Sequence, residues 1–258
     1  MLRNATLQSH RDIRERQVRV ILGEMFVQSF VRASILAGVS VFAVSATPAF
    51  AASAHPTIQS AHANTHRTTN KGTDRRLSIL WGQTSNDSGI GIVSQNFGDE
   101  FDSAAADDFT VDEHAVWTIK EVDVVGSYSS GGGPAISENV TIWKGKKNGP
   151  GGSKVIAEFD GVVGADDNGN LAIALPGRGL KLKRGHYWIS VVVNMPFDPN
   201  GQWFWENQTS QEGDPAMWEN PGDGYGSGCT TWTVETECVA TPEGDHMFTL
   251  KGIVKLKF

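Results

Sequence analysis

The sequence predicts an all-β protein, in which residues 77–258 form a sandwich of two antiparallel sheets with about ten strands. Two observations favour this class. Short apolar runs in this region alternate with polar residues at a period of two, and Gly, Asn, Asp and Pro separate the runs. No stretch keeps the 3.6-residue period of an amphipathic helix.

The first irregular alternation lies near residue 120. Trp117 and Ile119 share one phase, whereas Val122 and Val124 share the opposite phase. A β-bulge between the two pairs would bring all four side chains onto one buried face. The sequence therefore predicts a long strand with a bulge.

A hairpin is predicted next. Val140 and Ile142 alternate with Asn139, Thr141 and Trp143, and residues 155–159 alternate in the same way after the Gly- and Pro-rich segment 144–154.

Three further strands follow the same rule. Alternation predicts one buried face in residues 171–175 and another in residues 187–195. The last strand, residues 248–258, has one apolar face and one face rich in lysine, and such lysines protect an exposed sheet edge.

The first 51 residues are a different kind of polypeptide. The uncharged run 33–46 follows Arg32 and precedes Ala49-Phe50-Ala51, which is the order of a secretory signal peptide. We expect cleavage before Ala52, with Met25 as a candidate translation start. An uncleaved membrane anchor is the alternative.

Residues 52–76 contain one large aliphatic residue, Ile58, so this segment cannot bury enough apolar surface to fold. We interpret it as a flexible linker. The mature protein is then expected to be secreted, extracellular or periplasmic, with no transmembrane span.

The charge of the mature chain argues against a nucleic-acid partner. The leader holds 6 of the 22 basic and 3 of the 29 acidic residues, so residues 52–258 carry a formal net charge of −10. Binding of phosphate backbones needs a basic surface. The sequence does not determine an oligomeric state.

Cys229 and Cys238 are the only cysteines of the chain. Export places them in an oxidising compartment, so we predict a disulfide bond between them. Two free thiols are the alternative.

Several motifs stand out in the domain: AADDFTV at 105–111, Asn139-Val140-Thr141-Ile142, Gly185-His186-Tyr187-Trp188 and the turn 220–224. They resemble motifs of secreted bacterial β-sandwich domains of poorly assigned function, and the resemblance covers roughly residues 77–254. It implies a jelly-roll-like architecture similar to that of carbohydrate-binding modules. A shared fold supports a function only by analogy.

Motifs typical of enzymes are missing from the sequence. It contains no G-x-S-x-G elbow, no H-E-x-x-H and no phosphate-binding loop. We therefore favour a non-catalytic binding protein. A hydrolase that acts on an extracellular polysaccharide and a purely structural cell-surface protein are the alternatives.

Calcium is a candidate structural cofactor. Carboxylates suit Ca²⁺, and five of them lie within ten residues: Asp99, Glu100, Asp102, Asp107 and Asp108. If residues 107–111 enter a strand, Asp107 and Asp108 point to opposite faces, so only one of them can join a given site. The DDNGN segment at 166–170 also resembles part of a calcium loop, but an Asn-Gly hairpin turn is the favoured interpretation.

Aromatic residues near the disulfide are the candidate binding site for an extracellular glycan. Flat rings stack on sugars, and neighbouring polar side chains bind hydroxyl groups. The alternative is that the rings close the ends of the sandwich. Trp203 and Trp205 are expected in the core and not on a sugar-binding surface. The candidate glycan ligands are Trp218, Glu219, Asn220, Asp223, Tyr225 and Trp232.

Overall fold

A computed structural model describes residues 77–146, 149–239 and 244–257. The predicted signal peptide at 1–51 and the predicted linker at 52–76 lie outside the described residues, so both stay predictions. Within the described ranges, no helix has the length and apolar character needed to cross a membrane.

The described residues form fourteen strand segments and two short helices, which confirms the all-β class. The strands are β1 Ser78–Gln83, β2 Asp87–Val93, β3 Gln95–Asn96, β4 Ala104–Val124, β5 Gly126–Ser129, β6 Ser137–Lys146, β7 Gly149–Val162, β8 Ala165–Asp167, β9 Asn170–Ala174, β10 Leu180–Asn194, β11 Gln202–Gln208, β12 Met217–Glu219, β13 Thr233–Val234 and β14 Phe248–Leu256. The helices are α1 Phe197–Asn200 and α2 Glu235–Cys238.

Two sheets make up the sandwich. The larger sheet has the order β1-β14-β4-β10-β6-β7, and β12 and β9 also pair with β4. The smaller sheet has the order β2-β11-β5. All pairings are antiparallel except that of β3 with β10.

β4 is the central strand, and it carries the predicted bulge. Glu121 pairs with Lys251 of β14 and Ile119 pairs with Gly252, so Lys120 is the extra residue. As a result, Ile119 and Val122 both lie in the core. The bulge predicted from the change of alternation between Ile119 and Val122 is thus confirmed.

The DDNGN segment forms the turn between β8 and β9, as the hairpin interpretation predicts. Asp167 pairs with Asn170. Asn168 and Gly169 have φ of 53° and 98°, the left-handed conformations that an Asn-Gly hairpin turn requires.

The β6–β7 hairpin is also confirmed, although its strands are longer than predicted. Lys146 pairs with Gly149, so residues 149–153 belong to β7 rather than to the loop.

The core lies on one face of the large sheet. Alternate residues of β6 and β10 are buried there, together with Trp203 and Trp205 of β11, as predicted. The predicted apolar face of β14 is buried in its first half, whereas Val254 and Leu256 are 43% and 61% exposed. The expectation of a sheet edge is wrong for this strand, because β14 pairs with β1 on one side and with β4 on the other.

Candidate ligand-binding face

The opposite side of β6, β10, β4 and β12 carries a second set of residues, which we call the outer face. Trp188 of β10 lies opposite Trp143 of β6 and Asp108 of β4, and Ser190 lies opposite Thr141. Residues paired in this way project to the same side of a sheet. The outer face is therefore separate from the core that contains Ile189 and Val191.

Trp188 is the centre of a small apolar cluster on the outer face. It is fully buried with Ala106 and Met217, and three half-buried side chains pack against this cluster: Trp143, Trp232 and Val234. The segment that follows β12 thus covers part of the sheet and leaves two indoles at its border with solvent.

These two indoles contact each other edge to face. The ring centroids of Trp143 and Trp232 are 5.9 Å apart, and the angle between the ring planes is 73°. The start of β7 runs beside them at Gly151, where an added Cβ would lie 3.7 Å from Cβ of Trp232. No side chain at position 151 covers the indole.

Glu219 of β12 lies next to Trp232. Its carboxylate accepts a hydrogen bond from the backbone N–H of Trp232, which lowers the pKa of Glu219, but burial outweighs this bond and raises the pKa to about 7. The side chain is only half-buried, so it can change protonation state near neutral pH in contact with solvent.

Ser190 contributes a buried hydroxyl group to the outer face. Its hydroxyl oxygen is buried and has no hydrogen-bond partner within the described ranges, and it lies on the same side of β10 as Trp188. A buried polar group without a partner is uncommon in folded proteins, and a bound water or ligand can satisfy it.

A histidine and two carboxylates lie at the other end of the outer face. Nε2 of His186 is 2.6 Å from Oδ2 of Asp108 and 3.7 Å from Oδ2 of Asp214. The hydrogen bond to Asp108 raises the pKa of His186. Gly145 faces this ring, and a Cβ there would collide with Nδ1.

Of the six predicted glycan ligands, Trp218 and Asn220 are buried, and their side chains donate hydrogen bonds to backbone carbonyls. Trp218 is 1% exposed, and its Nε1 donates to the carbonyl of Val93 over 2.8 Å. Nδ2 of Asn220 donates to the carbonyls of Glu100 and Asp102, both over 2.8 Å. For Trp218, the structure agrees with the alternative in which the ring closes the sandwich.

Tyr225 and Asp223 also have structural partners. Tyr225 packs against Phe101 and Trp218, and its hydroxyl accepts a hydrogen bond from Gln202. Asp223 is exposed, and its carboxylate accepts the N–H of Gly228 over 2.8 Å. The structure therefore brings Glu219 and Trp232 together at the outer face, whereas Tyr225 and Asp223 shape the loop after β12.

The predicted disulfide bond between Cys229 and Cys238 is confirmed. Trp232 lies inside the loop that this bond closes. The backbone N–H of Asn220 donates to the carbonyl of Cys229 over 2.8 Å, which joins the disulfide loop to β12.

The predicted calcium ligands fall into two groups. In the turn before β4, Oδ1 of Asp102 accepts the N–H groups of Phe97 and Gly98, and Oδ1 of Asp99 accepts that of Phe101. The backbone carbonyl of Glu100 accepts the N–H of Gly224. These contacts order the turn.

Asp107 and Asp108 lie within β4, where both are buried, and they contact different partners. Among the described residues, no group of three or more His, Cys, Asp or Glu side chains is placed to hold a metal ion. Calcium stays a prediction, and titration of the demetallated protein with Ca²⁺ in a calorimeter tests it.

A buried polar cluster was missed at the sequence level. Oδ2 of Asp107 accepts hydrogen bonds from Nε2 of Gln83 over 2.8 Å and from the N–H of His246 over 2.6 Å. Burial raises the pKa of Asp107 well above its usual value, and the neighbouring Asp245 raises it further. These residues are far apart in the chain, so no local pattern indicates the cluster.

Trp143 was also not predicted as a binding residue. Its position among Asn139 and Thr141, out of phase with Val140 and Ile142, was the available signal.

No protein-family model, curated protein or solved structure matches this chain. The resemblance to secreted bacterial β-sandwich domains therefore stays a prediction.

Proposed function

We propose that this protein is an extracellular, non-catalytic glycan-binding protein, and that Trp143, Trp232 and Glu219 form its binding site. One observation carries the proposal: two half-buried indoles meet at the surface beside a half-buried carboxyl group. Aromatic rings pack against the C–H faces of sugar rings, and a carboxyl group binds their hydroxyls.

The scaffold beneath the site supports this proposal. Trp143 belongs to β6, which is paired on both sides with β7 and β10. Glu219 belongs to β12, which is paired with β4. A site held by paired strands keeps its geometry before the ligand arrives, and this lowers the entropic cost of binding.

The experiment is a binding screen of the full chain against soluble oligosaccharides, with variants Trp143→Ala, Trp232→Ala and Glu219→Gln. Each variant should weaken binding by about tenfold or more, as expected for aromatic and charged residues at the centre of a site. Trp81→Ala is the matched control, because Trp81 is half-buried but packs against the main core.

Two results would count against the proposal. One is binding that all three variants retain, and the other is no binding of any oligosaccharide. The same incubations address the hydrolase alternative, because Glu219 has the raised pKa that a general acid needs. Release of new reducing ends by the parent but not by Glu219→Gln would favour the hydrolase.

A further inference from the structure

The relative orientation of Trp143 and Trp232 restricts the shape of a ligand. Their ring planes are 73° apart, and the edge of one ring meets the face of the other. Two rings can stack on the same flat ribbon of sugars only when their planes are nearly parallel. At this angle, a sugar ring that stacks on one indole has the second indole against its edge.

Contacts on both sides of the pair hold this orientation. Both indoles pack against the buried cluster of Trp188, Ala106 and Met217. The backbone of Trp232 is bonded to Glu219, and its loop is closed by the Cys229–Cys238 disulfide. The N–H of Glu235 donates to the carbonyl of Ala216 over 2.9 Å, which fixes the far side of the same loop. A rotation that makes the two rings parallel would have to break this packing.

The first residues of β7 run beside Trp232. β7 begins at Gly149 and passes Met217, where an added Cβ at Gly149 would come within 2.7 Å of Cε. Gly151 then passes Trp232 without a side chain. The indole pair is thus a corner with two walls, bordered by a backbone segment, and not an extended platform.

We propose that the outer face binds a chain end or a short, soluble oligosaccharide, and not the flat surface of an insoluble polysaccharide. This inference rests on the proposed glycan-binding function and adds the physical form of the ligand. Glu219 lies beside one wall of the corner, where a carboxylate can accept hydrogen bonds from the hydroxyl groups of a terminal sugar.

The test compares two forms of the same sugars. Soluble hexamers of glucose, N-acetylglucosamine, xylose and mannose are titrated into the full chain, and the insoluble polymer of each sugar is used in a sedimentation assay. We expect binding of at least one hexamer, about tenfold or more weaker in Trp143→Ala and Trp232→Ala, and no sedimentation with the matching polymer.

A second variant avoids the loss of an indole from the fold. Gly151→Gln adds a side chain beside Trp232, and the nearest contacts of its Cβ are at ordinary van der Waals distances of 3.7 and 4.0 Å. This variant should fold as the parent does and should bind the hexamer less tightly, because its side chain occupies the corner. Unchanged affinity in Gly151→Gln would overturn the placement of the ligand there.

The outcomes separate the two proposals. Sedimentation with an insoluble polymer that is lost in Trp143→Ala and Trp232→Ala would overturn the inference about ligand form and leave glycan binding in place. Absence of binding to every hexamer and every polymer would overturn the proposed function, and this inference with it.

Discussion

The imidazole of His246 stacks on the indole of Trp205, with ring centroids 4.7 Å apart and 21° between the planes. Both residues are fully buried. Burial lowers the pKa of His246 from 6.5 to about 3, so the ring is neutral at physiological pH although its Nε2 lies 3.2 Å from an oxygen of Glu235. A protonated imidazolium is thus disfavoured in the folded state.

This pKa predicts a loss of stability in acid. Below pH 6.5 the unfolded chain protonates His246, whereas the folded protein does so only near pH 3, so the free energy of unfolding should fall across this interval. His246→Phe keeps a ring against Trp205 and removes the titrating group. We expect urea unfolding from pH 7 to pH 4 to show a smaller loss in His246→Phe than in the parent.

His114→Phe is the control for that experiment, because His114 is exposed. It should follow the parent at every pH. If His246→Phe and the parent lose the same free energy of unfolding in acid, protonation of His246 is not the cause of that loss.

Asp245 predicts the opposite dependence on pH. Burial raises its pKa from 3.8 to about 7, so its contribution to stability is full in acid and is lost as the pH rises toward 7. Asp245→Asn keeps an oxygen for the N–H of Glu212 and removes the charge. The variant should be more stable than the parent at pH 8 and similar to it at pH 4.

The free energy of unfolding of Asp245→Asn is best compared with that of Asp160→Asn, at an exposed position. Asp245 and His246 change the free energy of unfolding in opposite directions between pH 4 and pH 6.5. The pH dependence of the parent alone would therefore show only the sum of the two effects. A variant Asp245→Asn less stable than the parent at pH 8 would show that the carboxylate is needed in its charged form.

The period-two pattern predicted the strands and their buried faces because burial of a strand depends on local alternation. It also predicted the bulge at Lys120 and the Asn-Gly turn at 168–169, which depend on a few adjacent residues. The candidate site was predicted less completely. The accessibility of Trp218 and Trp143 depends on the position and register of β12. Both are set by the pairing of β12 with β4.

Carboxylate clusters show the same limit. Five acidic residues close in sequence suggested one site. Asp107 and Asp108 belong to β4, however, outside the turn at 99–102, and their side chains contact different partners. Asp107 instead interacts with Asp245, which lies more than a hundred residues later. Alternation within a segment carries no information about such long-range neighbours.

Asn220 is expected to stabilise the domain and not to contact a ligand. Its side chain bonds to two carbonyls in the turn before β4 and accepts the N–H of Tyr225 over 3.2 Å. Asn220→Ala removes three part-buried hydrogen bonds, so we expect a loss of about 3 kcal/mol in the free energy of unfolding. Urea unfolding measures it, with Asp223→Asn at an exposed position of the same loop as the control.

Glycan affinity separates the two roles of Asn220. Below the unfolding transition, Asn220→Ala should retain most of the affinity of the parent, because its contacts lie beneath the loop. A variant as stable as the parent that has lost binding would instead make Asn220 a ligand-contacting residue.

The disulfide is expected to affect both stability and binding, because it closes the loop that contains Trp232. For a closed loop of about ten residues, the entropy of the unfolded chain predicts a stabilisation of roughly 2.7 kcal/mol. The double variant Cys229→Ser, Cys238→Ser should lose about this amount and should bind the oligosaccharide less tightly, because Trp232 is then held less firmly against Trp143. A thiol reductant added to the parent should reproduce both effects and should leave the double variant unchanged. Full affinity in the double variant would mean that the contacts of Trp232 with Glu219 and Trp143 are sufficient to order the binding face without the covalent bond.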